Sequence, residues 1–370
     1  MIRERITDKE ATCLLILFLL GSSILVGIGV RAKNDAWLAG ILGVVFFIPF
    51  ALIYARIQSI FHGRDIFEIT ILLYGKVFGR ILIIIFSWYS FHIGALVLRN
   101  FCEFVHVESF PETPLIVITL CFITINIAAA RSGIEVIARI ATFCLPVVII
   151  LFLLMEILSI STMDFNNIKP ILGNGFSKVA DVGFSSFSFP FAESVILLGV
   201  FYTLKKRESA VKVYMKGVLA AGIVLITLTL VNIFVLGNMI EDYYFPSYAS
   251  FSFIKVGDFI QRMEGTIAIS YVLTSFIKSS ICLFVACKGI AAVFNLNHYK
   301  FIVIQTGLIM AYFSLILYDN IEEMVDWFQN IYQFYAIPFQ IIFPLFIWVC
   351  AEIRNRSEKR DQSGKGKKGV

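Results

Sequence analysis

Three ionisable residues, His92, Glu193 and Lys278, stand inside long apolar runs. On insertion scales a charge at mid-membrane costs about 2.5–3.5 kcal/mol, so each of these groups needs a partner, a cavity or a task. Glu193 closes the segment GFSSFSFPFAE, residues 183–193. A carboxylate there can hold a ligand amine, pair with a cation such as Lys278, or stay protonated and hydrogen-bonded. Lys278 lies halfway along SYVLTSFIKSSICLF and shares a helical face with Ser270 and Thr274. Its ammonium either tethers this helix to another or snorkels to the interface. His92 lies on a face with Trp88, Ala95 and Arg99. It either lines a ligand or water pocket or bonds to a core neighbour. Nothing in the chain resembles a nucleophile–base arrangement or a phosphate loop. The four histidines are scattered, and none of the seven cysteines forms a CxxC pair. The expectation is no enzyme, no catalytic residue, no metal and no cofactor, with the cysteines as small apolar packing residues.

The elements that position these groups follow from composition. Of 370 residues 59% are apolar and only 15% charged, against about 25% charged in soluble domains. Apolar runs near twenty residues recur along the chain, the length that crosses a bilayer core. Ten spans are expected, near residues 11–30, 37–59, 80–105, 114–130, 134–158, 176–204, 213–236, 262–294, 301–317 and 332–353. The charged start and apolar run of MIRERITDKEATCLLILFLLGSS read as a first span rather than a secretory leader. Placing both termini in the cytoplasm puts most of the 31 Lys and Arg residues on that side, as the positive-inside rule requires. The opposite loops carry acids such as Glu108, Glu112, Glu241, Asp242, Glu322 and Glu323. GRDIFEITILLYGKVFG, from Gly63, reads as an amphipathic helix on the cytoplasmic face. EDYYFPSYASFSFIKVGD, from Glu241, is either a lid over an outer vestibule or a loop anchored by its aromatics. The basic tail suits anionic lipid headgroups, and no nucleic-acid module is present.

Two spans carry matching irregularities. GSSILVGIG, Gly21 to Gly29, lies in the first, and GFSSFSFPFAE lies in the sixth. Glycine tolerates irregular torsions, and Pro190 neither donates a backbone hydrogen bond nor fits beside the carbonyl of Ser186. Five spans separate the two breaks, and a duplicated five-helix unit must come out inverted. The pattern is that of an all-α polytopic protein: two inverted five-helix repeats, each opening with a discontinuous helix. The expected organisation is a cytoplasmic N-terminus (1–10), a first repeat (11–158), an outer linker (159–175), a second repeat (176–353) and a disordered basic tail (354–370). Freed backbone groups at such breaks survive only beside a cavity or buried in protein, and half-helix ends attract charged groups. A small zwitterion fits between them. The candidate ligand-binding residues are Gly21, Ser22, Ser23, Gly27, His92, Gly183, Phe184, Ser185, Ser186, Phe187, Ser188, Pro190 and Glu193. Phe189 and Phe191 add to an apolar pocket wall, and Lys278 is the candidate structural charge. Elsewhere, Arg99 and Glu103 can pair, Asn126 and Asn232 can bridge helices, Asn34 or Asp35 can cap the second span, and Glu135 can pair with Arg131 or Arg139.

The order GSSILVG, NDAW (34–37), ETPL (112–115), RSGIEVIAR (131–139) and FSFPFAE (187–193) resembles the B subunit of bacterial spore-germinant receptors, in the amino acid–polyamine–organocation superfamily. The resemblance covers about residues 5–355. It implies a multi-pass protein in the inner membrane of the spore that senses a small-molecule germinant with an A subunit and a lipoprotein C subunit. In sodium-coupled relatives spans one and eight form a cation site. The resemblance thus implies that Lys278 replaces that ion, holding span eight to freed carbonyls of span one. An active secondary transporter, proton- rather than sodium-coupled, is the alternative function, and a passive water or ion conduit a third.

Overall fold

The computed structural model describes residues 4–173, 175–254 and 264–366, and the side chains as far as Glu358. Those residues are helical almost throughout, with no named strand among them. Among the described residues, eight helices are long and apolar enough to cross a membrane. Two shorter ones complete ten spans: Val303–Ile316, and a first span broken into Asp8–Leu20 and Ser23–Val26. The chain is therefore a multi-pass membrane protein built as two inverted five-helix repeats. Its buried face lies between helices, while residues such as Phe143, Ile150 and Ile223 face outward, as lipid-facing residues do.

The first span starts at a capping box, in which Thr7 and Glu10 satisfy each other's backbone N–H groups. It ends its first half at Gly21 and its second at Gly27, whose φ of +75° suits only glycine. The second span, Ala36–Ile60, follows a short turn. Neither Asn34 nor Asp35 caps it. Asn34 donates to the Lys169 carbonyl at 2.7 Å, and Asp35 accepts from the Leu172 N–H at 2.8 Å. This turn is pinned to the linker between the repeats, a contact no local pattern specifies.

The third span belongs to Ile66–Glu108, which turns sharply at Gly75 (φ 77°). The nine residues before that turn form the separate helix expected from Gly63 onward. Arg99 pairs with Glu103 at 2.7 Å and also donates to the carbonyls of Leu315 and Tyr318 at 2.7 and 2.8 Å. It thus caps the C-terminal end of Val303–Ile316, whose last carbonyls have no helical partner. The fourth and fifth spans, Leu115–Ser132 and Ile134–Ser159, join through Gly133. Glu135 pairs with Arg139 at 3.4 Å. Asn126 accepts from Ser280 at 3.1 Å, and Asn232 donates to Ser247 at 3.0 Å, so both bridge elements as expected.

The sixth span is helical over Phe176–Ser186, leaves helical torsions at Phe189 (φ −128°, ψ 122°), then resumes as a tight 3₁₀ run over Ala192–Gly199. Ser209–Leu236 and Glu264–Phe294 form the seventh and eighth spans. The tenth differs from expectation. It begins at Ile321, eleven residues before the expected start at Tyr332, because Asn320 caps it by accepting from the Glu323 N–H. Two π-helical turns, Trp327–Ile331 and Pro338–Ile342, interrupt it. Its last helix continues to Gly366, where composition suggested disorder from Arg354 onward. An Arg354–Glu358 pair at 2.9 Å and an Arg354 bond to the Leu72 carbonyl support the start of that extension.

Candidate functional site

The two breaks face each other across the eighth span. Thr274 donates to the carbonyl of Gly21 at 3.1 Å, a group the first break frees. Lys278, one turn on, is fully buried and ion-paired with Glu193 of the sixth span. Its stem packs on Gly21, where any added Cβ would strike Lys278 Cδ. Its ammonium lies 5.3 Å from the Phe18 ring centroid and 5.0 Å from that of Phe189. Lys278 therefore does not snorkel. The tether to span one is made by Thr274, while Lys278 reaches span six.

The other oxygen of Glu193 accepts from the Tyr332 hydroxyl. A buried network continues from there. The Tyr332 and Tyr89 hydroxyls lie 3.3 Å apart. Gln340 donates to Tyr89 at 2.8 Å and to the Ser188 carbonyl at 2.8 Å, and accepts from Ser188 Oγ at 2.9 Å. Ser188 directly precedes the break, so Gln340 satisfies a carbonyl that an intact helix would have used. Elsewhere, Gln58 donates to the Leu198 carbonyl of the 3₁₀ run at 2.7 Å, and Tyr54 to the Gln340 carbonyl in the π turn at 2.6 Å. An unpaired backbone group in hydrocarbon costs several kcal/mol. These side chains, on spans two, three, eight and ten, are what permit the irregular backbone.

Two cavities lie between the breaks. The outer, of about 60 Å³, is lined by Gly27, Arg31, Ser185, Ser186, Tyr243 and Tyr244 among others. The inner, about 20 Å³, has Ser22, Glu193, Lys278 and Tyr332 in its wall. Phe189, Phe328, Met324 and Asn100 line both. Phe189 meets Phe328 edge-on at 4.5 Å, forming an aromatic partition. A water needs roughly 10–15 Å³ by this measure, so the inner space has room for about one and the outer for a few.

The mouth of the outer cavity is clasped. Arg31 pairs with Asp181 at 3.3 Å and donates to the Gln329 carbonyl at 2.7 Å, linking the ends of spans one, six and ten. Lys33 pairs with Glu241 at 2.5 Å, and that carboxylate holds the lysine's pKa above its ordinary value. On the opposite face, the Ile6 N–H bonds to the Thr203 carbonyl at 3.1 Å and the Arg5 N–H to Glu135 at 2.7 Å, joining the N-terminus to both repeats. The segment expected as lid or anchor contributes Tyr243 and Tyr244 to the outer cavity and a short helix, Pro246–Ser252. Its residues 255–258 lie outside the described residues.

The candidate residues divide. Gly27, Ser185 and Ser186 line the outer cavity, and Ser22, Glu193 and Lys278 line the inner one. Gly21 contacts Lys278, and Ser188 binds Gln340. Pro190 and Phe191 are buried in the break. These four and the remaining candidates line neither cavity. Ser23 donates to the carbonyls of Leu19 and Leu20. Gly183 packs on Leu42, and Phe184 stacks on Phe187, which packs on Phe50. His92 is boxed by the rings of Trp88, Trp327, Tyr335 and Phe313, with Nδ1 lacking a partner. Residues the sequence did not point to are Tyr89, Asn100, Phe328, Tyr332 and Gln340. A period-3.6 reading of the tenth span would not find Phe328, Tyr332 and Gln340, because its two π turns shift which side faces inward. A Tyr and a Gln eight residues apart in an apolar run were the available signal.

This architecture has known counterparts. The chain aligns over 92% of its length, and 78% of the other's, with a nucleobase-cation-symport-1 family transporter, Mhp1, solved closed with bromovinylhydantoin bound (TM-score 0.67, 11% identity). It aligns over 94% of its length, and 80% of the other's, with a Na⁺-coupled sialic acid symporter (TM-score 0.67, 12%). A third is MhsT in complex with L-phenylalanine (TM-score 0.55, 13%, covering 95% and 89%). At such identities the likeness concerns fold alone. In sequence, the chain is 27% identical over the full length of both chains to spore germination protein KB of Bacillus subtilis (strain 168). It is 24% identical to spore germination protein YndE of the same organism, over 96% of this chain and 99% of that one. Spore germination protein A2, also from that organism, is 27% identical over 84% and 86%. The family model described as spore germination protein matches residues 5–324. The family match covers most of the chain, and the chain belongs to the spore germination permease family.

Proposed function

We propose that this chain is the germinant-sensing membrane subunit of a spore germination receptor, in the spore's inner membrane with both termini cytoplasmic. The carrying observation is that one path, outer cavity to inner cavity, touches both helix breaks and ends on the Lys278–Glu193 pair. An amino acid suits that floor. Its carboxylate would meet Lys278 and its ammonium Glu193, so that one buried ion pair is exchanged for two and no charge is left alone. The small outer volume and the Phe189–Phe328 partition favour a small solute that displaces an aromatic ring as it enters. MhsT, a structural neighbour, is solved with L-phenylalanine. Displacement of Phe189 and Phe328 would move spans six and ten together. A solute shifts that equilibrium by its preference for the displaced packing, and the shift would pass to an A subunit and a lipoprotein C subunit.

The test is germination of spores carrying Glu193→Gln, scored as dose-response to a panel of amino acids. The half-maximal concentration should rise at least tenfold for zwitterionic germinants. An unchanged curve would remove Glu193 from the site. A second reading is active secondary transport, favoured by the transporters of the same fold. Lys278 between spans one and eight would make such a carrier proton- rather than sodium-coupled. Concentrative uptake of labelled amino acid by proteoliposomes would establish that reading over sensing alone.

A further inference from the structure

A second depression opens on the face that carries the N-terminus, away from the solute path. It has a volume of about 370 Å³, and its wall holds Arg64, Arg207, Arg354 and His62 against a single carboxylate, Glu358. These groups come from four places in the chain: the turn after span two, the connection after span six, and the end of span ten, with Leu72 of the short helix beneath. Glu358 is engaged by Arg354 at 2.9 Å, and Arg354 also donates to the Leu72 carbonyl at 3.1 Å, which holds Arg354 against the short helix. Among the described residues, the side chains of Arg64, Arg207 and His62 make no hydrogen bond or ion pair in the structure. Among the described residues of this wall, Glu358 is the one carboxylate set against the cations, and Arg354 already holds it.

The surroundings locate the depression in depth. Ile353, next to Arg354, is 65% exposed, and Val77 and Phe78, just past the Gly75 turn, are 79% and 48% exposed. Ile60 and Leu72 lie in its wall. Apolar side chains so exposed, on helices long enough to cross a bilayer, belong in acyl chains, and the arginines directly beyond them are then at headgroup level. Tyr74 fixes the short helix on this side, stacking on Phe346 at 4.9 Å and donating to its carbonyl at 2.9 Å.

We infer that this depression is a binding site for a phosphate-bearing anion, filled by the headgroup of an anionic phospholipid. Arginine forks match phosphate oxygens bidentately, and three of them converging from separate elements would clamp the ends of spans two, six and ten around one headgroup. Because span six carries one helix break and span ten closes on it, occupancy of this site would stabilise the arrangement around both cavities.

The experiment uses the full chain in nanodiscs and reads unfolding temperature and lipid binding. Phosphatidylglycerol should raise the unfolding temperature over phosphatidylcholine alone. The double variant Arg64→Gln/Arg207→Gln should keep the phosphatidylcholine value but bind phosphatidylglycerol about 30-fold more weakly, since each surface cation contributes about 1 kcal/mol to such contacts. A control removing two cations elsewhere on the same face, Arg131→Gln/Lys300→Gln, should leave binding near wild type. Inorganic phosphate is the third arm: a stabilisation of the wild type alone, matching that by phosphatidylglycerol, would keep the site but assign it to a free phosphate. Equal weakening by both double variants would reduce the effect to general surface charge and overturn the site. So would full phosphatidylglycerol stabilisation of Arg64→Gln/Arg207→Gln.

Discussion

Replacing Lys278 with Met removes one partner of a pair buried in the middle of the bundle. Glu193 is then left with only the Tyr332 hydroxyl, at a site 2% exposed. Breaking a buried pair from one side costs about 3–5 kcal/mol, chiefly through the stranded charge. By the usual per-residue unfolding entropy, a chain of this length loses about 4–6 °C in unfolding temperature for that sum. Glu193→Gln alone should cost a similar amount, because Lys278 is fully buried and its remaining close neighbours are the Phe18 and Phe189 rings. The double variant Lys278→Met/Glu193→Gln strands no charge, and it should lose no more than either single variant. Lys278→Arg keeps the charge but must fit a larger head against Gly21, so partial tolerance is expected. The assay is thermal unfolding in one detergent of wild type, the two single variants and the double variant, read as a double-mutant cycle, with Lys278→Arg measured beside them. Losses that simply add would show that the two residues do not stabilise each other. A Lys278→Met variant as stable as wild type would refute the reasoning outright.

Gly27→Ala places a side chain at φ +75° with Val30 Cγ2 only 3.0 Å from the new Cβ, so a loss of about 1–3 kcal/mol is expected in thermal unfolding. His92→Phe should match or exceed wild-type stability by about 1 kcal/mol, since it removes an unpartnered buried nitrogen from an aromatic box. Germinant dose-response should be unchanged, and a lost response would return His92 to the solute path. Arg31→Gln should alter stability by less than about 1 kcal/mol, because Asp181 is 57% exposed. It should still open the mouth, so that a thiol reagent labels Ser186→Cys faster in this background than in wild type.

Much of this protein could be read from its residues in order. Apolar runs of spanning length, the gathering of Arg and Lys in alternate connections, and the Gly, Ser and Pro clusters in spans one and six are local properties. They determine which segments cross the membrane and where a helix cannot continue, because hydrocarbon forbids unpaired backbone and proline lacks its N–H. Glu193 and Lys278 were conspicuous for the same reason: charge in an apolar run is costly wherever it folds. The tertiary structure alone decided the partners. Lys278 could have gone to span one, to span six or to the interface, and only the packing of Gly21 against its stem directs it to Glu193. Asn34 and Asp35 looked like helix caps and instead hold the linker, because that linker passes over them. His92 lost its place in the pocket to four rings drawn from spans three, nine and ten. Tyr332 and Gln340 entered the site because two wide turns rotate span ten, a change of register with no signature in hydropathy. Where a chain crosses a bilayer is a matter of each segment's own solvation. What its buried polar groups touch depends on which distant segments supply the complementary atoms.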